Sequence, residues 1–275
     1  IMLQAGFGMV LTVGAMIAGG GKNSAKIMHD PLALGLINVL AVGGVIALGL
    51  LINKLPPRRA FPVGPVSGGA WLAVPLLTIG AAIVLSEVDN VFRYFVPPPQ
   101  WLATLMSDLL MDGSRFFSIM FALVIVAPLT EEMLCRGVIL RGLLARHQPG
   151  RAVALSALLF AALHMNPWQA VSAFAIGAVF GWFYLRTGSI WPGVAGHAIN
   201  NGIVAIVTTS PFGLWEAPTA ADLMRVDFQP WWLNAVGVAL LALGIWVFRK
   251  STPPPPVNLM PPVLQPVGPP PLLNP

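Results

Sequence analysis

Long apolar stretches, each about 17–25 residues and separated by short polar breaks, dominate the chain. They lie near 2–19, 32–52, 69–86, 116–140, 152–166, 168–186, 190–209 and 231–248. A helix rises about 1.5 Å per residue, so runs of this length match the roughly 30 Å hydrocarbon core of a bilayer. Lipid offers the backbone no hydrogen bonds, and a helix satisfies its own. The pattern therefore predicts an all-α protein, a polytopic membrane bundle of about eight transmembrane helices with any polar site inside it. The fifth run is short and ends at Asn166-Pro167, a pair that stops one helix and opens another. A tilted or partly re-entrant element is expected there.

The polar breaks alternate in sign. Lys54, Arg58 and Arg59 follow the second run, Arg141, Arg146 and Arg151 the fourth, Arg186 the sixth, and Arg249-Lys250 the eighth. Glu87, Asp89, Asp108 and Asp112 follow the third, and Glu216, Asp222 and Asp227 the seventh. Lys and Arg concentrate in cytoplasmic loops. The majority pattern thus places both termini in the cytoplasm of a bacterial inner or plasma membrane, with Lys22 and Lys26 running against it. Val96-Pro97-Pro98-Pro99 before Trp101 reads as a rigid turn into a short interfacial helix over 103–112. Residues 1–250 form the transmembrane domain. The proline-rich stretch 251–275 cannot pack a core and is expected to be a disordered tail. No charged stretch leads into a short apolar run with a small-residue cleavage site, so no removable signal peptide is expected.

Composition sharpens this. Hydrophobic residues make up 56% and charged residues only 9%, against roughly 25% charged in soluble domains, which excludes the soluble class. The net charge of +5 would suggest nucleic acid in a soluble protein. Here the basic residues sit at the ends of apolar runs, so the expected partners are membrane lipids, with no nucleic acid. The single cysteine, Cys135, excludes an internal disulfide and a Cys-based metal cluster within the chain.

One stretch breaks the apolar rule. Glu131, Glu132 and Arg136 fall in the middle of the fourth run. A charged residue at the bilayer centre costs about 2.5–3.5 kcal/mol on insertion scales. On a helix Glu132 and Arg136 share a face and can pair, which leaves Glu131 turned about 100° away. The spacing suggests one supporting carboxylate and one working carboxylate.

Two histidines also fall in spans, His164 at the end of the fifth run and His197 in the seventh. His29 and His147 lie in loops, where solvent explains them. Asn201 follows His197 by four residues and shares its face, while Asn200, three away, is the plainer candidate. Each group would need its own partner in lipid unless all converge on one site. A carboxylate and an imidazole around one water can activate it, and an imidazole and an amide can donate to an oxyanion. Glu131, His164 and His197 are equally a zinc-ligand set, and the residues alone leave water-only and zinc-assisted hydrolysis both open. Other chemistries fit less well: Gly-x-Ser-x-Gly, an intramembrane Asp pair and His-Glu-x-x-His are all absent.

Glu131-Glu132-x-x-x-Arg136, Phe160-x-x-x-His164 and His197-x-x-x-Asn201, in that order on three spans, resemble the three-motif pattern of the CAAX prenyl protease and bacteriocin-processing (Abi) family of intramembrane proteases. The resemblance covers about 131–201, within a core of about 115–210. It implies that Glu131 is the general base on a water held with His164. It further implies that His197 and Asn201 stabilise the oxyanion, and that Glu132 and Arg136 hold the site in shape. The implied substrate is a membrane-anchored or lipidated peptide. Cys135, where family members often carry Phe, is a departure that touches packing. Two other functions suit the same residues. One is a non-catalytic accessory or scaffold subunit of a larger membrane complex that keeps the pocket. The other is a transporter using Glu131, Glu132 and His164 as a proton relay, which the lack of duplicated halves disfavours. Polar residues serving only as interhelical glue return well under 1 kcal/mol per contact, a poor offset for two carboxylates.

Overall fold

The computed structural model of the chain describes residues 31–52, 54, 56–110, 115–209, 216 and 218–252. The apolar run at 2–19, Lys22, Lys26, Asp112 and the stretch beyond 252 lie outside the described residues. The helices are α1 (Pro31–Ile52), α2 (Gly68–Phe95), α3 (Gln100–Leu110), α4 (Phe116–Leu144), α5 (Pro149–Leu163), α6 (Pro167–Thr187), α7 (Trp191–Thr209) and α8 (Trp231–Ser251). Single helical turns sit at Pro57–Ala60 and Ala220–Met224. Among the described residues no strand forms; Val63 and Ser189 share one antiparallel bridge.

The all-α expectation holds, and the number of spans is refined. Five described helices, α1, α2, α4, α6 and α8, are long and apolar enough to cross a membrane. α5 has 15 residues, about 22 Å, which falls short of the hydrocarbon core. α7 has the length, but His197, Asn200 and Asn201 lower its hydropathy. α2 runs nine residues past the expected limit at 86, because Asp89 and Arg93, 3.6 Å apart at i,i+4, carry it into polar surroundings. The short helix expected over 103–112 after the triple proline is present as α3, beginning earlier at Gln100, with Trp101 exposed and Leu102 buried.

Small residues set how closely the helices approach. α2 and α8 pack antiparallel: a Cβ built on Gly80 would lie 2.6 Å from the Leu241 nitrogen, and one on Gly244 2.7 Å from Leu77 Cγ. Without a hydrophobic force between helices in lipid, such backbone contact is the main adhesive. α5 and α6 form an antiparallel hairpin whose turn places Met165 at φ 49, and Asn166 caps α6 by accepting from the Trp168 N–H. Gly177 and Gly181 of α6 lie against Phe160 and Val153 of α5. α1 packs along α4. Arg186 fastens the ends of α6 and α8 together through the Arg249 and Thr252 carbonyls.

Candidate active site

Pro128 shapes the helix that carries the carboxylates. A proline has no N–H, and its ring collides with the carbonyl four residues back. α4 answers with a wide, π-type turn over Phe121–Val126, in which the Ala127 N–H reaches back five residues to the Ala122 carbonyl. A second wide stretch covers Met133–Leu140, so the ordinary turn Ala127–Glu132 lies between two widened ones. Such π-bulges recur at functional sites because they rotate side chains out of α register.

The first wide turn strands one carbonyl. The partner that Leu123 O would have in an α-helix, the Ala127 N–H, is taken by Ala122, and the next nitrogen along belongs to Pro128. Asn201 of α7 fills the gap, its Nδ2 donating to Leu123 O at 2.9 Å. Asn200 Nδ2 lies 3.4 Å from Asn201 Oδ1 behind it.

One turn further along, the charged groups gather. Glu131, Glu132, Arg136, His164 and His197 are all buried. Arg136 Nη1 donates to Glu132 Oε1 at 2.8 Å, and Nη2 donates to the Gly177 carbonyl at 2.6 Å. Its guanidinium lies over the Phe160 and Phe180 rings, 5.2 and 5.7 Å from their centroids. A buried Arg–Glu pair of this kind is tolerated because the cation finds a carboxylate, a carbonyl and two aromatic faces together.

His197 stands between the carboxylates. Its Nδ1 is 3.3 Å from Glu132 Oε1, and its Nε2 is 3.8 Å from Glu131 Oε2. A neutral ring has one N–H; donated from Nδ1 to Glu132, it turns the Nε2 lone pair toward Glu131. The longer gap leaves Glu131 without a direct bond to the ring. The ring stacks on Phe180 at 5.6 Å and meets Phe160 edge to face at 5.6 Å. His164 packs on that same Phe160 ring, centroids 4.8 Å apart, and its Nδ1 is 2.7 Å from the Phe160 carbonyl. That bond fixes the ring and turns Nε2 away from its own backbone.

Of the six residues singled out from the sequence, Glu131, Glu132, Arg136 and His197 are thus in one cluster. His164 joins through Phe160, and Asn201 lies one turn along α7, bonded to α4. The i,i+4 pairing of Glu132 with Arg136 is as the spacing predicts. Sequence reasoning missed the glycines that make room for the cluster. A Cβ on Gly193 would fall 2.6 Å from Glu132 Oε2, and one on Gly196 2.8 Å from Phe180 and 3.0 Å from Thr78 Oγ1. The signal available was Gly193-x-x-Gly196 directly before His197. Two polar atoms of the cluster, Glu132 Oε2 and Arg136 Nε, have no hydrogen-bond partner among the described residues.

Glu131, His164 and His197 were the set that would hold a zinc ion if one is used. Among the described residues no three His, Cys, Asp or Glu groups stand close enough to hold a metal ion. The chemistry below therefore uses the chain's own groups and water.

Residues 113–203 match the family described as type II CAAX prenyl endopeptidase Rce1-like, which bears out the resemblance on the segment holding every motif. The chain is also similar to the "Uncharacterized protein YyaK" of Bacillus subtilis (strain 168), 25% identical over 245 residues that cover 82% of this chain and 79% of that protein. No solved structure matches.

Proposed function

From a membrane-spanning chain whose residues 113–203 carry the CAAX prenyl endopeptidase match, we propose an intramembrane endopeptidase that hydrolyses a peptide bond with a water activated by Glu131. The observation carrying this reading is the division of labour between the two carboxylates. Glu132 is committed to Arg136 and to His197 Nδ1, while Glu131, buried beside it, makes no bond among the described residues shorter than its 3.8 Å approach to His197. A carboxylate that no Arg holds can turn its oxygens to a water, as a general base requires.

In this mechanism Glu131, with His164, orients a water and takes its proton as the hydroxide oxygen bonds to the substrate carbonyl carbon. The carbonyl π electrons move onto oxygen. His197 as an imidazolium, its Nδ1–H kept on Glu132, donates its Nε2–H to that oxyanion together with the second N–H of the Asn201 amide; the first Asn201 N–H stays on Leu123 O. As the C–N bond breaks, Glu131 returns the proton to the leaving amine. Glu132 and Arg136 hold His197 in place throughout. Membrane burial keeps bulk water from competing and strengthens each of these interactions.

The substrate presents a carbonyl at membrane depth, such as a prenylated C-terminal peptide or another membrane-anchored peptide. The protein lies in a bacterial inner or plasma membrane with both termini cytoplasmic. The deciding experiment uses purified full-length protein in lipid nanodiscs with a fluorescent prenylated peptide and a membrane-anchored peptide. Cleavage that falls at least about 100-fold in Glu131→Gln and in His164→Gln supports the reading. Activity that survives Glu131→Gln removes it. Fixed-stoichiometry co-purification with other membrane subunits, unchanged by Glu131→Gln and without cleavage, favours the accessory-subunit role instead.

A further inference from the structure

Asn38 is a buried polar residue for which the mechanism above has no use. It lies on α1, outside the matched segment, and is 1% exposed. Neither its amide nitrogen nor its oxygen has a hydrogen-bond partner among the described residues. A carboxamide closed off with both ends unpaired opposes the packing around it, and native structures rarely keep one without a purpose.

Its neighbours along α1 fix its position. A Cβ built on Gly35 would lie 3.5 Å from Ala122 Cβ, and one on Gly49 would lie 3.3 Å from Val138 Cγ1. α1 therefore runs parallel to α4, and Asn38, three residues beyond Gly35, comes level with the wide turn before Pro128. Val42 and Ile46 continue the same stripe at four-residue steps and pack with Leu134. The stripe Asn38, Val42, Ile46 is the face that α1 presents to the catalytic helix. Asn201 enters the same turn of α4 from α7, through Leu123. The outer face of α1 is apolar, with Leu36, Leu40, Leu48 and Leu51 exposed, as befits a helix with lipid behind it.

We propose that Asn38 receives the backbone of the peptide substrate when α1 parts from α4 to admit it. Its Nδ2 donates to a peptide carbonyl and its Oδ1 accepts from a peptide N–H beside the scissile bond. A carboxamide carries the donor and acceptor of a peptide group, so it pairs with an extended backbone whatever the side chains. Acyl and prenyl chains, the other occupants of a seam facing lipid, offer neither. The inference deepens the protease reading and rests on it.

The test compares wild type, Asn38→Leu and Glu131→Gln as full-length proteins in nanodiscs, with the fluorescent prenylated peptide as probe. Leu keeps the fork of Asn at Cγ, with two methyl groups in place of the amide oxygen and nitrogen, and so removes both unpaired polar atoms. Losing two hydrogen bonds to substrate raises KM about ten- to a hundredfold with kcat within about threefold. The thermal unfolding midpoint without peptide stays the same or rises, since an unpaired amide has been exchanged for hydrocarbon. As a second measurement, the peptide binds Glu131→Gln more tightly than Asn38→Leu/Glu131→Gln. A midpoint lowered both in Asn38→Leu and in the smaller Asn38→Val, where overpacking does not apply, assigns the amide a structural partner and overturns the proposal. So does an unchanged KM in a wild type that cleaves and in which Glu131→Gln does not. A wild type that never cleaves overturns the protease reading itself, and this inference with it.

Discussion

The α2–α8 and α4–α7 contacts are both lined by glycine, and glycine serves a different end in each. Between α2 and α8, Gly80, Gly237 and Gly244 bring hydrocarbon and backbone into close contact, and no ionisable group is among their nearest neighbours. Between α4 and α7, Gly193 makes room for the Glu132 carboxylate. At these glycines the two helices adhere by packing, with no charge needed. Adhesion therefore does not explain the second contact, which buries two carboxylates and a guanidinium and leaves Glu132 Oε2 and Arg136 Nε without a partner among the described residues. The α2–α8 pair holds the bundle, and the α4–α7 pair holds charged groups in a place that costs stability.

The largest effect that would test this contrast lies within the charged contact itself. Glu132→Ala leaves Arg136 buried without its carboxylate and is expected to destabilise the protein by about 3–5 kcal/mol, whereas Glu131→Gln changes stability little. Replacing both partners, Glu132→Gln with Arg136→Met, is expected to recover most of that loss while leaving the enzyme inactive, because His197 loses its anchor. Thermal unfolding in detergent beside a cleavage assay separates the two carboxylates. Equal destabilisation by Glu131→Gln and Glu132→Ala would erase the division of labour between them.

A smaller effect is expected at the apolar contact. A Cβ on Gly237 would come 2.7 Å from Ile83 Cγ2, so Gly237→Leu must push α8 away from α2. Overpacking of this kind costs about 1–3 kcal/mol. The unfolding midpoint falls while kcat of the folded fraction stays near wild type, since α8 carries none of the reactive groups. A fall in kcat with an unchanged midpoint would show that α8 and the site are coupled.

Much of this was legible in the sequence, and what was hidden has a common physical cause. Apolar length is a one-dimensional property, so α1 and α7 begin and end within a residue of their expected limits. The Glu132–Arg136 pair was legible because four residues on a helix is a local relation. The Asn166-Pro167 break was legible because Asn caps and Pro starts helices. The π turns of α4 were not: they depend on what Pro128 does to carbonyls upstream of it, and on whether a distant residue can satisfy the one left over. Gly193 and Gly196 were passed over for the same reason, since their worth lies in Glu132, Phe180 and Thr78 on other helices. Asn38 gave no local sign at all, being one polar residue in a run of 22.

The smallest effect tests that long-range relation directly. If Asn201 holds the carbonyl that Pro128 strands, Asn201→Leu leaves Leu123 O buried and unpaired and costs about 1–3 kcal/mol, apart from any loss of oxyanion binding. Pro128→Ala returns an N–H to the helix at the position five residues after Leu123, the spacing the wide turn already uses. In that background Asn201→Leu is expected to cost about 1 kcal/mol less, a coupling that a double-mutant cycle of unfolding free energies resolves. Activity separates the two jobs of the amide. The Pro128→Ala/Asn201→Leu protein regains stability but not kcat, because the restored N–H bonds inside α4 and cannot reach the substrate oxygen. Full additivity in the cycle would mean that Asn201 and Pro128 act independently. The geometry of α4 would then need another source than the proline.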